Sequence, residues 1–193
     1  MEAQMEPKTL KQIAQFIAKT EGHASPDKLF QQLRGAANRN LMKEADNKGP
    51  KAGFRYSARE MLSARILLAA ICSGIHSSAL AEIYNDMRIE SRKIWAVGAD
   101  VTLSSGEAIS AALDKNRADE EWRLEIVHLR DRSNGEVNHG TVWIKDGNRF
   151  DYSDPLGKDS QVIGNVIEGS TTIPVTNLLL PLVRAIRGAA EPK

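Results

Sequence analysis

Apolar residues recur at helical spacing in the first part of the chain, beginning with a stripe from Leu10 to Ile17. Thr9 precedes this stripe as a candidate N-cap, and Gly22 follows it as a candidate terminator. The run Ser25-Pro26-Asp27 then supplies a cap, a proline at the first helical position and an acid in the first turn. Two short helices joined by a tight turn are therefore predicted, the second beginning near Pro26.

The second predicted helix is amphipathic, with Leu29, Phe30 and Leu33 facing inward. We expect its outward face to carry four polar side chains: Lys28, Gln31, Gln32 and Arg34. The apolar pattern then disappears over residues 43–57, where basic residues lie among glycines and a proline, and this composition is typical of an exposed loop. The basic residues of this loop are Lys43, Lys48, Lys51 and Arg55.

Helical periodicity returns at Ser57, which has Glu60 in capping-box register and precedes a strongly apolar stretch. This pattern predicts a buried helix that Gly74 closes. Another short helix is predicted from Ser77 or Ser78 to about Arg88, where the helical signal fades. We therefore predict two domains, comprising residues 1–90 and residues 91–193.

The second half mixes strand and helix patterns. Residues 94–103 are short and apolar enough for a strand, and Ser104 begins a second capping box and a helix. Charged and apolar residues alternate over 122–129, a turn follows, and 137–145 is again rich in β-forming residues. With a further segment at 149–152, these residues predict a three-stranded antiparallel meander.

Further β-rich stretches at residues 161–167 and 171–175 precede a final helix, whose apolar stripe runs from Leu178 to Ile186. That stripe suits either the closing of a core or a dimer interface. The predicted fold class is α+β: an N-terminal all-α winged helix-turn-helix domain, followed by a C-terminal domain with an antiparallel β-meander and flanking helices.

The net charge of the 193 residues is +1, but the two halves of the chain have charges of opposite sign. Residues 1–95 hold 15 Lys and Arg against 10 Asp and Glu, whereas residues 96–193 hold 11 against 15. Residues 28–65 alone hold nine basic residues against three acidic ones. Such a stretch attracts phosphate, although a solvated charged surface has the same composition.

Several classes of protein are disfavoured by the sequence. No apolar run approaches the roughly 18 residues of a membrane span, and the N-terminus is too polar for a signal peptide. Cys72 is the only cysteine, so an internal disulfide is excluded, and we expect it to pack in the core. We therefore expect a soluble, cytoplasmic protein without a membrane partner.

The order helix, turn, helix, basic loop and buried helix is that of a winged helix-turn-helix. A helix beginning at Pro26 fits a major groove, where Gln and Arg side chains reach base edges, and the loop then lies over neighbouring phosphates. This interpretation makes nine residues candidate DNA contacts: Ser25, Lys28, Gln31, Gln32, Arg34, Lys48, Lys51, Arg55 and Tyr56. A purely structural three-helix domain is the alternative.

The run Gly53-Phe54-Arg55-Tyr56-Ser57, followed by Ala58-Arg59-Glu60-Met61 and Gly74-Ile75-His76-Ser77, resembles the wing and following helices of MerR-like regulators. The likeness covers roughly residues 10–87. It implies a symmetric dimer, with groove and backbone contacts falling on Arg34, Arg55 and Tyr56. The sequence departs from the family in having Leu29-Phe30-Gln31 in the recognition helix and a longer connection to the wing. It also has no long dimerising helix after Met87.

Other candidate sites have simpler explanations. The spacing of His23, His76, His128 and His139 fits no metal-ligand motif, and His128 with His139 suits a cross-strand pair. Trp95, Trp122 and Trp143 suit an aromatic pocket for a small-molecule effector, but core packing explains tryptophans on paired strands equally well.

Two functions follow from these patterns. The first is a dimeric, sequence-specific transcription regulator that binds double-stranded DNA and needs no cofactor. The second is a DNA-binding assembly or packaging protein of the phage type, whose C-terminal half forms a ring. An enzyme is disfavoured, because no nucleophile, acid–base pair or phosphate-binding loop has a usable spacing.

Overall fold

A computed structural model describes residues 5–23, 25–38, 42, 46–47, 54–88, 105–146 and 165–190. The first half contains four helices and a small hairpin. Helix α1 (Leu10–Glu21) and helix α2 (Pro26–Asn38) are followed by an antiparallel pair of two-residue strands, β1 (Asp46–Asn47) and β2 (Phe54–Arg55). Helices α3 (Ala58–Cys72) and α4 (Ser77–Arg88) complete this half.

Local capping signals explain where α1 and α3 begin and end. The Thr9 hydroxyl accepts from the Gln12 backbone N–H, and the Gln12 side-chain oxygen accepts from the Thr9 N–H at 2.9 Å. Gly22 ends α1 with a φ of 72°, a left-handed conformation that glycine adopts without strain. Ser57 caps α3 by accepting from the Glu60 N–H. The predicted first helix and buried third helix are confirmed.

In the second half, residues 105–146 and 165–190 form two helices and a three-stranded antiparallel sheet. Helix α5 (Ser105–Leu113) and a 3-10 turn precede β3 (Trp122–Asp131) and β4 (Val137–Lys145). Strand β5 (Asn165–Ile173) and helix α6 (Val175–Ala190) follow. The mixture of helices with a three-stranded antiparallel sheet is consistent with the predicted α+β class.

The predicted antiparallel pairing of residues 122–129 with residues 137–145 is confirmed in β3 and β4. In the described sheet the order is β4-β3-β5, so β3 is the middle strand. Strand β5 covers parts of both β-rich stretches expected at 161–167 and 171–175, and residues 161–164 lie outside the described residues. The segments expected as strands at 94–103 and 149–152 lie outside the described residues.

Buried residues from both halves form one hydrophobic cluster. Helix α6 contributes five side chains that are at most 3% exposed: Val175, Leu179, Leu182, Val183 and Ile186. The terminal apolar stripe therefore closes the core of this chain. Trp122 and Trp143 are also buried in this cluster, whereas Trp95 and the predicted domain boundary between residues 90 and 91 lie outside the described residues.

Side-chain hydrogen bonds also join the two halves. The Arg59 guanidinium, at the start of α3, donates to the Met87 carbonyl of α4 at 3.3 Å and to the Gly106 carbonyl and Ser110 hydroxyl of α5. Cys72, expected in the core, is instead exposed because it is the last residue of α3 and lies beyond the buried face. No helix in the described ranges is long and apolar enough to cross a membrane.

Candidate nucleic-acid interface

The outward face of α2 is a polar stripe. Over residues 26–37, four of its side chains are exposed: Asp27, Lys28, Gln31 and Arg34. Asp27, Gln31 and Arg34 follow one another at intervals of four and three residues, so they lie along one line of the helix surface. Ser25 is exposed just before the helix begins. This face therefore holds four of the nine predicted contacts, together with an acid that the prediction left out.

Gln32 faces α3 instead of solvent. It is half-buried, and its Nε2 lies 3.9 Å from the Cys72 Sγ. Its Oε1 is buried without a hydrogen-bond partner in the part of the chain that the structure describes. A helical residue is turned by about 100° from its predecessor, which takes Gln32 away from Gln31 and toward the end of α3. Gln32 is therefore turned toward the end of α3, and its predicted contact with DNA stays a prediction.

An ion pair fixes the turn between α1 and α2. Arg65, on α3, donates through Nε to Glu21 Oε1 at 2.6 Å, and both side chains are mostly buried. The other carboxylate oxygen of Glu21 lies 3.0 Å from His23 Nε2. Glu21 is the last residue of α1, directly before the left-handed Gly22. Helix α3 therefore holds the turn from which α2 starts.

The small hairpin is anchored to the segment that precedes α1. Lys8 and Tyr56 exchange backbone hydrogen bonds at 2.9 and 2.8 Å. Arg55 Nη1 donates to the Pro7 carbonyl at 3.4 Å and is half-buried. Lys48 and Lys51 belong to the connection between the two strands and lie outside the described residues. The structure thus places a hairpin between α2 and α3, where the sequence predicted a basic loop.

Tyr56 belongs to the core. Only 3% of its surface is exposed, and it packs in the hydrophobic cluster with residues of both halves. The backbone pairing with Lys8 turns the ring of Tyr56 inward, so its predicted role as a phosphate contact is not supported. Its neighbour Phe54 is 48% exposed beside Arg55. Sequence reasoning missed this surface, because strand alternation cannot be read in two residues.

The predicted pairing of His128 and His139 is confirmed. They are direct partners on β3 and β4, their ring centroids are 5.1 Å apart, and the rings meet edge to face. His128 Nε2 also lies 3.3 Å from the Thr171 hydroxyl of β5. Burial lowers the pKa of His139, and repulsion from His128 and His76 lowers it further. Within the described residues no group of three His, Cys, Asp or Glu side chains could hold a metal ion.

A second polar cluster surrounds Glu120 and has a structural role. Its carboxylate accepts from the Arg117 guanidinium at 2.7 Å and from Trp122 Nε1 at 2.9 Å, and it lies 3.1 Å from Lys145 Nζ. These donors, Arg117 above all, lower the pKa of Glu120 to about 2. The cluster fastens the 3-10 turn to β3 and β4, and its carboxylate is already occupied by these partners.

Comparison with known proteins adds no relative. No protein-family model matches the chain, and no curated protein matches it. The resemblance to MerR-like regulators therefore stays an expectation from the sequence.

Proposed function

We propose that this protein is a dimeric, sequence-specific DNA-binding regulator that inserts α2 into the major groove and lays its hairpin on the flanking phosphates. The observation that carries the proposal is the exposed stripe of Lys28, Gln31 and Arg34 on α2. The turn before this helix is held by the ion pair between Arg65 and Glu21. Arg and Gln are the side chains that most often make bidentate hydrogen bonds to guanine and adenine.

The dimensions of α2 suit this placement. A helix with its side chains is about 10–12 Å across, and the major groove is about 12 Å wide. The 13 residues of α2 span about 20 Å, so its first two turns can lie against the bases while its end points away. Gln31 and Arg34 are about 4.5 Å apart along the helix axis, somewhat more than the spacing of about 3.4 Å between successive base pairs.

The hairpin supplies the backbone contacts in this proposal. Arg55 has five N–H donors, of which the described bond to Pro7 uses one, so a phosphate can take others. Lys48 and Lys51 add charge in the connection between the strands. Phosphate contacts of this kind fix the register on the duplex without reading its sequence.

The brace between Arg65 and Glu21 supports the proposal because base recognition needs a rigid helix. Because α3 holds the turn before α2, the interface loses little conformational entropy on binding DNA. More of the energy of its contacts therefore appears as affinity. In a two-fold dimer the two α2 helices would enter successive major grooves about 34 Å apart on a palindromic site.

The test is a set of binding titrations with purified variants on a selected duplex and an unrelated duplex. We expect Arg34→Ala and Gln31→Ala to reduce the preference for the selected duplex, and Arg55→Ala to weaken binding to both. Arg132→Ala removes an exposed arginine from the β3–β4 turn and is the matched control for Arg34→Ala. Unchanged binding in all three interface variants would overturn the proposal.

A further inference from the structure

The exposed stripe of α2 contains one acid, Asp27, in its first turn. Asp27, Gln31 and Arg34 lie along one line of the helix, whereas Gln32 faces α3. Asp27 is therefore part of the outward face, next to the predicted contacts Gln31 and Arg34. DNA phosphates repel an exposed carboxylate, so the presence of Asp27 on a surface proposed to bind DNA requires an explanation.

The position of Asp27 brings it within reach of base edges. A recognition helix contacts bases mainly through its N-terminal residues, and Asp27 is the second residue of α2. Asp27 and Arg34 are about 10.5 Å apart along the axis, which corresponds to about three base pairs. In the proposed complex, Asp27, Gln31 and Arg34 therefore lie opposite neighbouring base pairs in this order.

The chemistry of a carboxylate limits what Asp27 can recognise. An ionised Asp only accepts hydrogen bonds, and phosphate oxygens repel it. In the major groove cytosine presents an amino donor at N4, whereas guanine presents only acceptors. Adenine places its N7 acceptor beside its N6 donor, and that acceptor opposes a carboxylate. Cytosine is therefore the base that suits Asp27.

We propose that Asp27 is a specificity-determining residue that accepts a hydrogen bond from the N4 amino group of a cytosine. The inference rests on the proposed DNA-binding function. It also assigns the carboxylate a second effect, because repulsion from phosphates disfavours registers in which Asp27 does not meet a cytosine.

The experiment is selection of bound duplexes from a randomised library, followed by sequencing, with the wild-type chain, Asp27→Asn and Asp119→Asn. Asp119 is an exposed aspartate in the other half, so its variant makes the same chemical change away from α2. A thermal melt of each protein checks folding. Binding of each protein to one unrelated duplex measures the repulsion.

The wild-type protein is expected to select a site with a cytosine at one position. In Asp27→Asn that position is expected to shift toward adenine, with about a tenfold loss of discrimination for cytosine, because Asn pairs with adenine N6 and N7. Affinity for the unrelated duplex should rise in Asp27→Asn, and Asp119→Asn should match the wild type.

Retention of the same cytosine by Asp27→Asn would overturn the inference, even if that variant melted at a lower temperature. Such a result would mean that Asp27 only stabilises the start of α2 through the helix dipole. Binding by the wild type without any selected site would instead overturn the proposed sequence specificity, and absence of binding would overturn the proposed function as a whole.

Discussion

The ion pair between Glu21 and Arg65 gives the most quantitative test of how the interface is held. Glu21→Gln removes the carboxylate charge with little change of shape, and it leaves the Arg65 guanidinium, which is 17% exposed, without its ionic partner. An exposed pair contributes about 0–1 kcal/mol, whereas breaking a buried pair costs about 3–5 kcal/mol. With the two side chains 17% and 12% exposed, we expect a loss of about 1.5–3 kcal/mol in the free energy of unfolding.

The assay is urea denaturation of the wild type, Glu21→Gln, Arg65→Met and the double variant at pH 7. The coupling energy of this cycle is expected to be about 1–2 kcal/mol, because the two groups share one short hydrogen bond at 2.6 Å. Arg123 and Glu121 form a matched exposed pair at 2.8 Å, with side chains 44% and 50% exposed. Glu121→Gln should therefore change the free energy of unfolding by at most about 0.5 kcal/mol.

A coupling energy below about 0.5 kcal/mol between Glu21 and Arg65 would refute the reasoning, because the pair would then behave as an exposed one. The variant also has a functional consequence under the proposal. Glu21→Gln should weaken DNA binding to all sequences, since the turn before α2 loses its brace, and the selected site should stay the same. A changed site with undiminished affinity would show that Glu21 does not act through the turn.

Three other predictions concern stability. Glu120→Gln should destabilise the protein by about 1–3 kcal/mol at pH 7. Since the pKa of Glu120 falls from its usual 4.5 to about 2, the wild-type advantage should be full above pH 4.5 and decline toward pH 2, as urea titrations at several pH values would show. Leu182→Ala, in the core face of α6, should cost about 2–5 kcal/mol by thermal or urea unfolding. The lowered pKa of His139 means that its neutral form is favoured in the folded state, so its contribution to the free energy of unfolding is complete above pH 6.5 and declines below it. His139→Gln should therefore reduce the loss of stability below pH 6.5.

Features set by neighbouring residues could be predicted from the sequence. The capping box of Thr9 and Gln12, the Gly22 terminator and the Ser57 cap each depend on side chains within about one helical turn. The β3–β4 hairpin was also predicted, since a five-residue turn connects two segments of alternating pattern.

Features set by distant residues could not be predicted. Strand β5 pairs with β3, and this choice of partner depends on contacts between segments far apart in the chain. The inward turn of Tyr56 depends on pairing with Lys8, which lies 48 positions earlier. Gln32 turns toward Cys72 for the same reason: periodicity defines a polar face, but the position of α3 decides which edge of that face is covered.

The measurement that tests the central claim most directly is a titration of the purified full chain against fragmented genomic DNA at two salt concentrations, with the bound fragments sequenced. The account predicts a steep loss of affinity at the higher salt concentration, together with enrichment of a palindromic fragment. Salt-sensitive binding without enrichment would contradict sequence-specific regulation and favour a DNA-binding assembly protein. Absence of binding at either salt concentration would contradict the account and leave the helices α1 to α4 with a structural role.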